Sequence, residues 1–361
     1  MKNFFTNMKK STKNHLITYA GIIVAYAIMQ ILCGTGVASN LIKGLLVPIC
    51  VYSIVAIGLN LCVGILGELS LGHAGFMCIG AFTGALATKL LYDYIPSKIL
   101  MFLIALVIGT FFAALFGFLI GIPVLRLKGD YLAIVTLAFG QIIINIINVL
   151  YIGKDEAGLH FAFSNPNAIN MNEETGVWLI NGAKGITKIP SISNFTIGVI
   201  LLIVSLFIVY HLVDSRTGRA IMDIRDNRIA AESVGINITK YKMLAFTISA
   251  AIAGAGGVLY SHNLSTLTAT TNNFGYNMSI MILVYVVLGG MGSFRGSIIA
   301  TVILYMLPEL LRGLSDYRML FYAIILIGLM LFNWSPKAIV WRQKVLSLLP
   351  FGKKGEKGKV E

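Results

Sequence analysis

Three amide-bearing or amide-like positions inside one apolar stretch are the first residues with chemistry to explain. Gln141, Asn145 and Asn148 recur at spacings of four and three within residues 131–152, so a helix there aligns them on one face. Such a face cannot lie cheaply against hydrocarbon. It either joins helices through hydrogen bonds or lines a path for a polar solute. His73 is the other candidate for that path. It follows Glu68 and Ser70 at the start of another apolar run, where it reads as a solute contact, a proton relay or a satisfied structural histidine. The chain carries no paired carboxylates and no histidine cluster at metal-ligand spacing, so the sequence offers no enzyme site, metal or cofactor of its own.

An energy source is missing too. A phosphate-binding loop needs G-x-x-x-x-G-K-[ST] between a strand and a helix. The nearest stretch, Gly352–Lys359, has the wrong spacing and lacks the hydroxyl residue. ATP with its Mg²⁺, if used at all, belongs to a separate subunit.

One hydrophilic segment has the composition of a docking element. Residues 214–242 contain Arg219, Arg225, Asp226, Ala230, Ala231, Glu232 and Gly235. The pattern predicts one helix over about 217–234, closed by Gly235 in the left-handed position after its last turn. Ala230 and Ala231 are small enough for close docking beside the charged stripe of Arg225 and Arg228. A helix of this kind either seats in a groove of a partner protein or lies at the membrane surface as an anchor.

The elements that must position these residues are set by composition. Of 361 residues, 57% are hydrophobic and only 12% charged, and the mean hydropathy is +0.84. Soluble domains carry about 25% charged residues, so lipid is the solvent that fits, and membrane lipid is the first partner. About 20 apolar residues span the hydrocarbon layer, and ten segments meet or approach that length. They lie at 15–33, 44–65, 71–92, 99–122, 131–152, 194–213, 243–261, 277–291, 296–312 and 318–334. The expected fold is therefore all-α, with about ten transmembrane helices over residues 15–335. Basic tails at 1–14 and 336–361 flank it. Glycines and short polar breaks interrupt the third, eighth and ninth segments.

The net charge of +13 does not point to nucleic acid, because its placement follows the positive-inside rule. With both termini cytoplasmic, 20 of the 28 Lys and Arg fall on the inner side, seven on the outer side, and Lys89 within a span. The 153–193 loop is then exterior and the 214–242 segment cytoplasmic. Cys33, Cys50, Cys62 and Cys78 lie in or beside apolar segments without metal spacing, as small buried hydrophobes do. Bulky Leu32 directly before Cys33 is wrong for lipoprotein processing, and the first apolar run reads as a retained span.

Several motifs now agree in order. Ala230-Ala231-Glu232 with Gly235 resembles the loop through which permeases of ATP-binding-cassette (ABC) importers engage their ATPase. The stretch from Gly58 through Gly64, Gly67, Ser70, Gly72 and His73 to Phe76 is similar to a signature of LivM-like permeases of branched-chain amino acid importers. Further agreement comes from Gly129–Gly140, Asn181–Ile186 and Leu288–Ser293; residues 164–178 look like a local insertion. The resemblance covers residues 45–335. It implies an inverted-repeat permease fold in a bacterial inner membrane and places ATPase coupling on Arg219, Arg225, Asp226, Ala230, Ala231, Glu232 and Gly235. The implied partners are a homologous permease subunit, two ABC ATPase subunits and an exterior solute-binding protein. Leucine, isoleucine and valine are the implied solutes, with urea, amides or another small polar solute as the alternative. A self-contained secondary transporter or channel would need membrane-embedded acids, for which Glu309 is the best candidate.

Overall fold

A computed structural model describes residues 10–311, except 37–38, 93, 128, 156–157, 166–168 and 170–175, together with residues 317, 320–321 and 323–328. Among the described residues, seven helices are long and apolar enough to cross a membrane. They are α1 (Lys10–Gly34), α2 (Asn40–Asn60, continued as a π-helix over Leu61–Leu66), α3 (His73–Leu91), α4 (Lys98–Val124), α5 (Asp130–Val149), α6 (Phe195–Asp214) and α9 (Ile238–Ser261). The eighth and ninth expected spans form shorter helices, α11 (Tyr276–Gly289) and α12 (Phe294–Leu310), separated by a glycine turn. The tenth expected span lies largely outside the described residues, as do the 336–361 tail and residues 352–359. The third segment is uninterrupted from His73 to Leu91.

Two parts of the expected architecture are corrected. The fold is not purely helical, because residues 150–187 form strands β1 (Leu150–Asp155), β2 (Gly158–Phe163), β3 (Val177–Asn181) and β4 (Ile186–Thr187). The first three make an antiparallel sheet in the order β2-β1-β3, and β4 pairs with β5 (Thr266–Leu267). The 214–242 segment is two helices rather than one: α7 (Arg216–Asp226) and α8 (Arg228–Ser233). A single turn, α10 (Thr271–Phe274), precedes α11.

The described residues up to 302 form one compact unit. Helix α2 runs through its centre and is buried from Leu46 to Leu66. Helix α9 packs on α2, α3 and α4, and small residues set the closeness of that crossing. A Cβ on Gly80 would overlap the Gly254 backbone, and one on Gly257 would overlap Met77 O. The alanines and glycines at 250, 253, 254 and 257 thus let the backbones meet. Helix α4 turns Ile99, Leu103, Val107, Phe111 and Leu119 outward, as a lipid-facing helix does. A second unit begins at residue 303; its described part carries α12 to Leu310 and is helical again at 320–321 and 323–328.

The first unit has two distinct ends. One gathers the π-helical end of α2, the 67–72 linker, α7 and α8, the start of α9 and the α11–α12 turn. The other carries the sheet. There Lys89 Nζ donates to Trp178 O at 2.7 Å, and Thr88 meets buried His262 at 2.7 Å.

Candidate coupling surface and polar stripe

The α7–α8 segment is shaped by its caps. Ser215 Oγ accepts from Gly218 N at 3.1 Å and starts α7. Gly218, Ala220, Ile221 and Ile224 form its buried side, three- and four-residue spacings that face one direction. Asn227 then ends α7 and starts α8 in the same step. Its backbone is extended at φ −152°, and its Oδ1 accepts from Ala230 N at 3.1 Å. A side chain bonding its neighbouring backbone in this way competes with continued helix, which is why one expected helix became two.

The end of α8 follows the expected rule. Gly235 sits at φ +83°, its N–H donates to Glu232 O at 3.0 Å, and Ile236 N donates to Ala231 O at 3.1 Å. That pair of bonds is the Schellman closure. Ile236 completes it by packing on the cluster of Ile224, Ala231 and Ile238. Asn237 Oδ1 accepts from Lys240 N at 3.0 Å and opens α9.

The expected docking residues therefore separate into groups. Ala230, Glu232 and Gly235 are exposed, whereas Ala231 is buried beneath them. Arg219 reaches back to Asp214 O at 3.4 Å. Arg225 pairs with Asp226 at 2.8 Å, and its Nη1 also donates to Gly64 O at 2.8 Å. Arg225 thus reaches back to the end of α2 although it, like Asp226, is exposed. Sequence reasoning passed over Ile229 on α8 and Val234 just after it, which are 81% and 75% exposed. Two branched apolar side chains thus stand out of a charged segment.

The sequence reading also passed over the pair formed by Glu68 in the 67–72 linker and Lys242 of α9. The signal was present: an acid and a base each stand at the edge of an apolar run, where an unmatched charge is costly.

The second candidate set is less unified. His73 is buried at the foot of α3, with Nε2 against Gly58 of α2. That nitrogen has no hydrogen-bond partner among the described residues, and neither does the buried Nε2 of Gln141. Asn145 is exposed on α5, and Asn148 donates to Ala269 O at 3.0 Å. Gln141, Asn145 and Asn148 share the α5 stripe, but His73 faces a different interface, between α2, α3 and α9. Around it, Ser249 Oγ donates to Gly58 O at 2.6 Å and Ala74 N donates to Ser279 Oγ at 3.1 Å. Among the described residues no group of three or more His, Cys, Asp or Glu side chains could hold a metal ion.

Residues 41–332 match the family described as "Branched-chain amino acid transport system / permease component". The chain belongs to that permease family. It is 36% identical over 299 residues to the high-affinity branched-chain amino acid transport system permease protein LivM of Escherichia coli and to that of Salmonella typhimurium. In each case 80% of this chain and 68% of the relative are covered. A nucleoside ABC transporter permease protein, NupC of Lactococcus lactis, is 25% identical across 55% of this chain and 60% of its own. No solved structure matches the chain significantly. In this multi-pass membrane permease, the Gly58–Phe76 stretch occupies the end of α2, the linker and the foot of α3. The family model spans the α7–α8 segment as well.

Proposed function

We propose that this chain is one permease subunit of an ABC importer for leucine, isoleucine and valine. The observation that carries the reading is the 36% identity with LivM over 80% of the chain. In this reading a homologous permease subunit completes the pathway, and an exterior binding protein delivers solute to the end bearing the sheet. Two ATPase subunits, which bind the ATP and Mg²⁺, dock on α7–α8 through Ile229, Ala230, Glu232 and Val234. Both termini are cytoplasmic, and the 153–193 loop is exterior.

The polar stripe of α5 lines the solute path. Gln141 Nε2 is buried without a partner among the described residues and Asn145 is uncovered, so this edge needs water, solute or another polypeptide rather than lipid. The facing subunit supplies the other wall. His73 serves the same path only if the packing around Gly58 opens during the cycle.

Uptake of radiolabelled leucine, isoleucine and valine into proteoliposomes tests the proposal. The vesicles contain this chain with the permease, ATPase and binding-protein subunits encoded beside it. Uptake that requires interior ATP and the binding protein is the expected result. The 25% identity to a nucleoside permease favours a second reading, in which the same machinery moves another small polar solute, such as urea or an amide. ATP hydrolysis by the assembled complex without movement of any of the three amino acids selects that reading. Ion-driven uptake by this chain alone would make it a self-contained transporter.

A further inference from the structure

The α7–α8 surface explains where an ATPase docks, but not how its stroke enters the membrane. Helix α2 ends in π-helical geometry over Leu61–Leu66, followed by Gly67 at φ +79°. The helix closes there, with the N–H groups of Gly67 and Glu68 both turned back to Cys62 O, the closure that a left-handed C-terminal glycine makes. The Gly64 carbonyl is one of the last of this helix, which are left without intrahelical donors, and Arg225 Nη1 of α7 donates to it at 2.8 Å. One residue past Gly67, the Glu68 carboxylate pairs with Lys242 of α9; the two side chains are only 14% and 10% exposed. On its other side the same segment meets the α11–α12 turn. Asn60 Oδ1 accepts from Gly292 N at 2.8 Å, Asn60 Nδ2 donates to Ser297 Oγ at 2.9 Å, and a Cβ on Gly64 would overlap Gly292 N.

We infer that residues 60–68 are the transmission element of this permease, clasped to the ATPase-docking helix by Arg225 and to helix α9 by the Glu68–Lys242 pair. Isolated π-turns mark places where a helix shifts its hydrogen bonding at functional sites. Here the shifted turn touches the docking helix, α9 and the glycine turn before α12. A displacement of α7 pulls on the Gly64 carbonyl. The ion pair makes α9 follow, and Asn60 carries the same movement to the α11–α12 turn. Glu68 and Lys242 are positioning residues in this scheme, since neither need touch solute or nucleotide.

The inference rests on the proposed docking of ATPases at α7–α8, and the experiment separates the two. In proteoliposomes of the complete complex, solute moved per ATP hydrolysed is measured for wild type, Glu68→Gln, Lys242→Met and the double variant. Removing one charge strands the other, so a single variant loses stability for purely structural reasons; removing both does not. The double variant is therefore the decisive one. It is expected to co-purify with its partners and retain basal ATP hydrolysis, while solute moved per ATP falls about tenfold, an ordinary coupling free energy. A double variant with wild-type stoichiometry overturns the inference and leaves the pair a structural one. If the double variant does not assemble, hydrogen exchange on the wild-type complex decides. Backbone amides of 61–71 change protection between nucleotide-free and vanadate-trapped states if the segment transmits, and unchanged protection overturns the inference. Wild-type uptake that needs no ATP would instead remove the proposed function on which the scheme depends.

Discussion

Gly235 shows what a single residue contributes to the proposed docking surface. Nothing lies within 4 Å of a Cβ built there, so its role is conformational and not one of clearance. At φ +83° an L side chain costs about 1–2 kcal/mol, which acts against the two bonds that close α8. Gly235→Leu is expected to leave membrane insertion and co-purification intact while weakening ATP-driven uptake; Gly235→Asn, which tolerates the left-handed region better, retains more. Full uptake by the leucine variant would remove Gly235 from the coupling role. Asn60 is the residue-scale counterpart inside the membrane. It is fully buried, with one bond to Gly292 in the α11–α12 turn and one to Ser297 in the first turns of α12. Asn60→Leu leaves the Gly292 N–H without its acceptor, so the detergent-solubilised protein should lose about 1–3 kcal/mol, read as a lower Tm. An unchanged Tm would mean that the turn is held by other contacts. Gly235 was legible from sequence because a glycine after a helical pattern has one common use. Asn60 was not, since its partners lie more than 230 residues away.

At the scale of elements, periodicity located the long spans but misjudged the segment between α6 and α9. Its apolar residues support one helix; the break comes from the Asn227 side chain capping Ala230, a local choice that a hydrophobic pattern does not record. The break has a use, because it sets α8 apart with Ile229 and Val234 standing out. Burying one such side chain is worth about 1.5–3 kcal/mol. Ile229→Ser and Val234→Ser are each expected to weaken ATPase binding at least about tenfold, measured by titrating ATPase onto the purified permease pair. The Tm of this chain should hardly move, because both residues are already exposed. A lower Tm with unchanged ATPase affinity would place these residues in packing within the permease. The sheet at the other end was missed for a related reason. Leu159, Phe161 and Phe163 alternate along β2, but they are 47%, 62% and 65% exposed, so the strand shows its apolar side outward. In a sequence rich in polar loop residues, that alternation resembles scatter.

For the whole molecule, the question is which end faces the cytoplasm. The charge distribution and the two-ended geometry are independent features of the chain. They agree in grouping the 67–72 linker, the α7–α8 segment and the α11–α12 turn on one side, with the β-sheet on the other. Structure alone gives the grouping without the sign; the proposed sign rests on the placement of the basic residues. The sign has a direct readout. Cys50, Cys62 and Cys78 are buried, so the natural background toward a membrane-impermeant maleimide rests mainly on Cys33, which a Cys33→Ser parent removes. On that parent, Leu159→Cys in β2 and Ile229→Cys in α8 place single thiols at the two ends, each at a position that is already exposed. Intact cells stripped of any outer barrier should label the thiol at 159 at once and the thiol at 229 only after permeabilisation. The reverse order would invert the chain in the membrane and put the α7–α8 surface outside, beyond the reach of any ATP-hydrolysing subunit. Such a result would end the coupling scheme, however well the residues of α8 fit a groove.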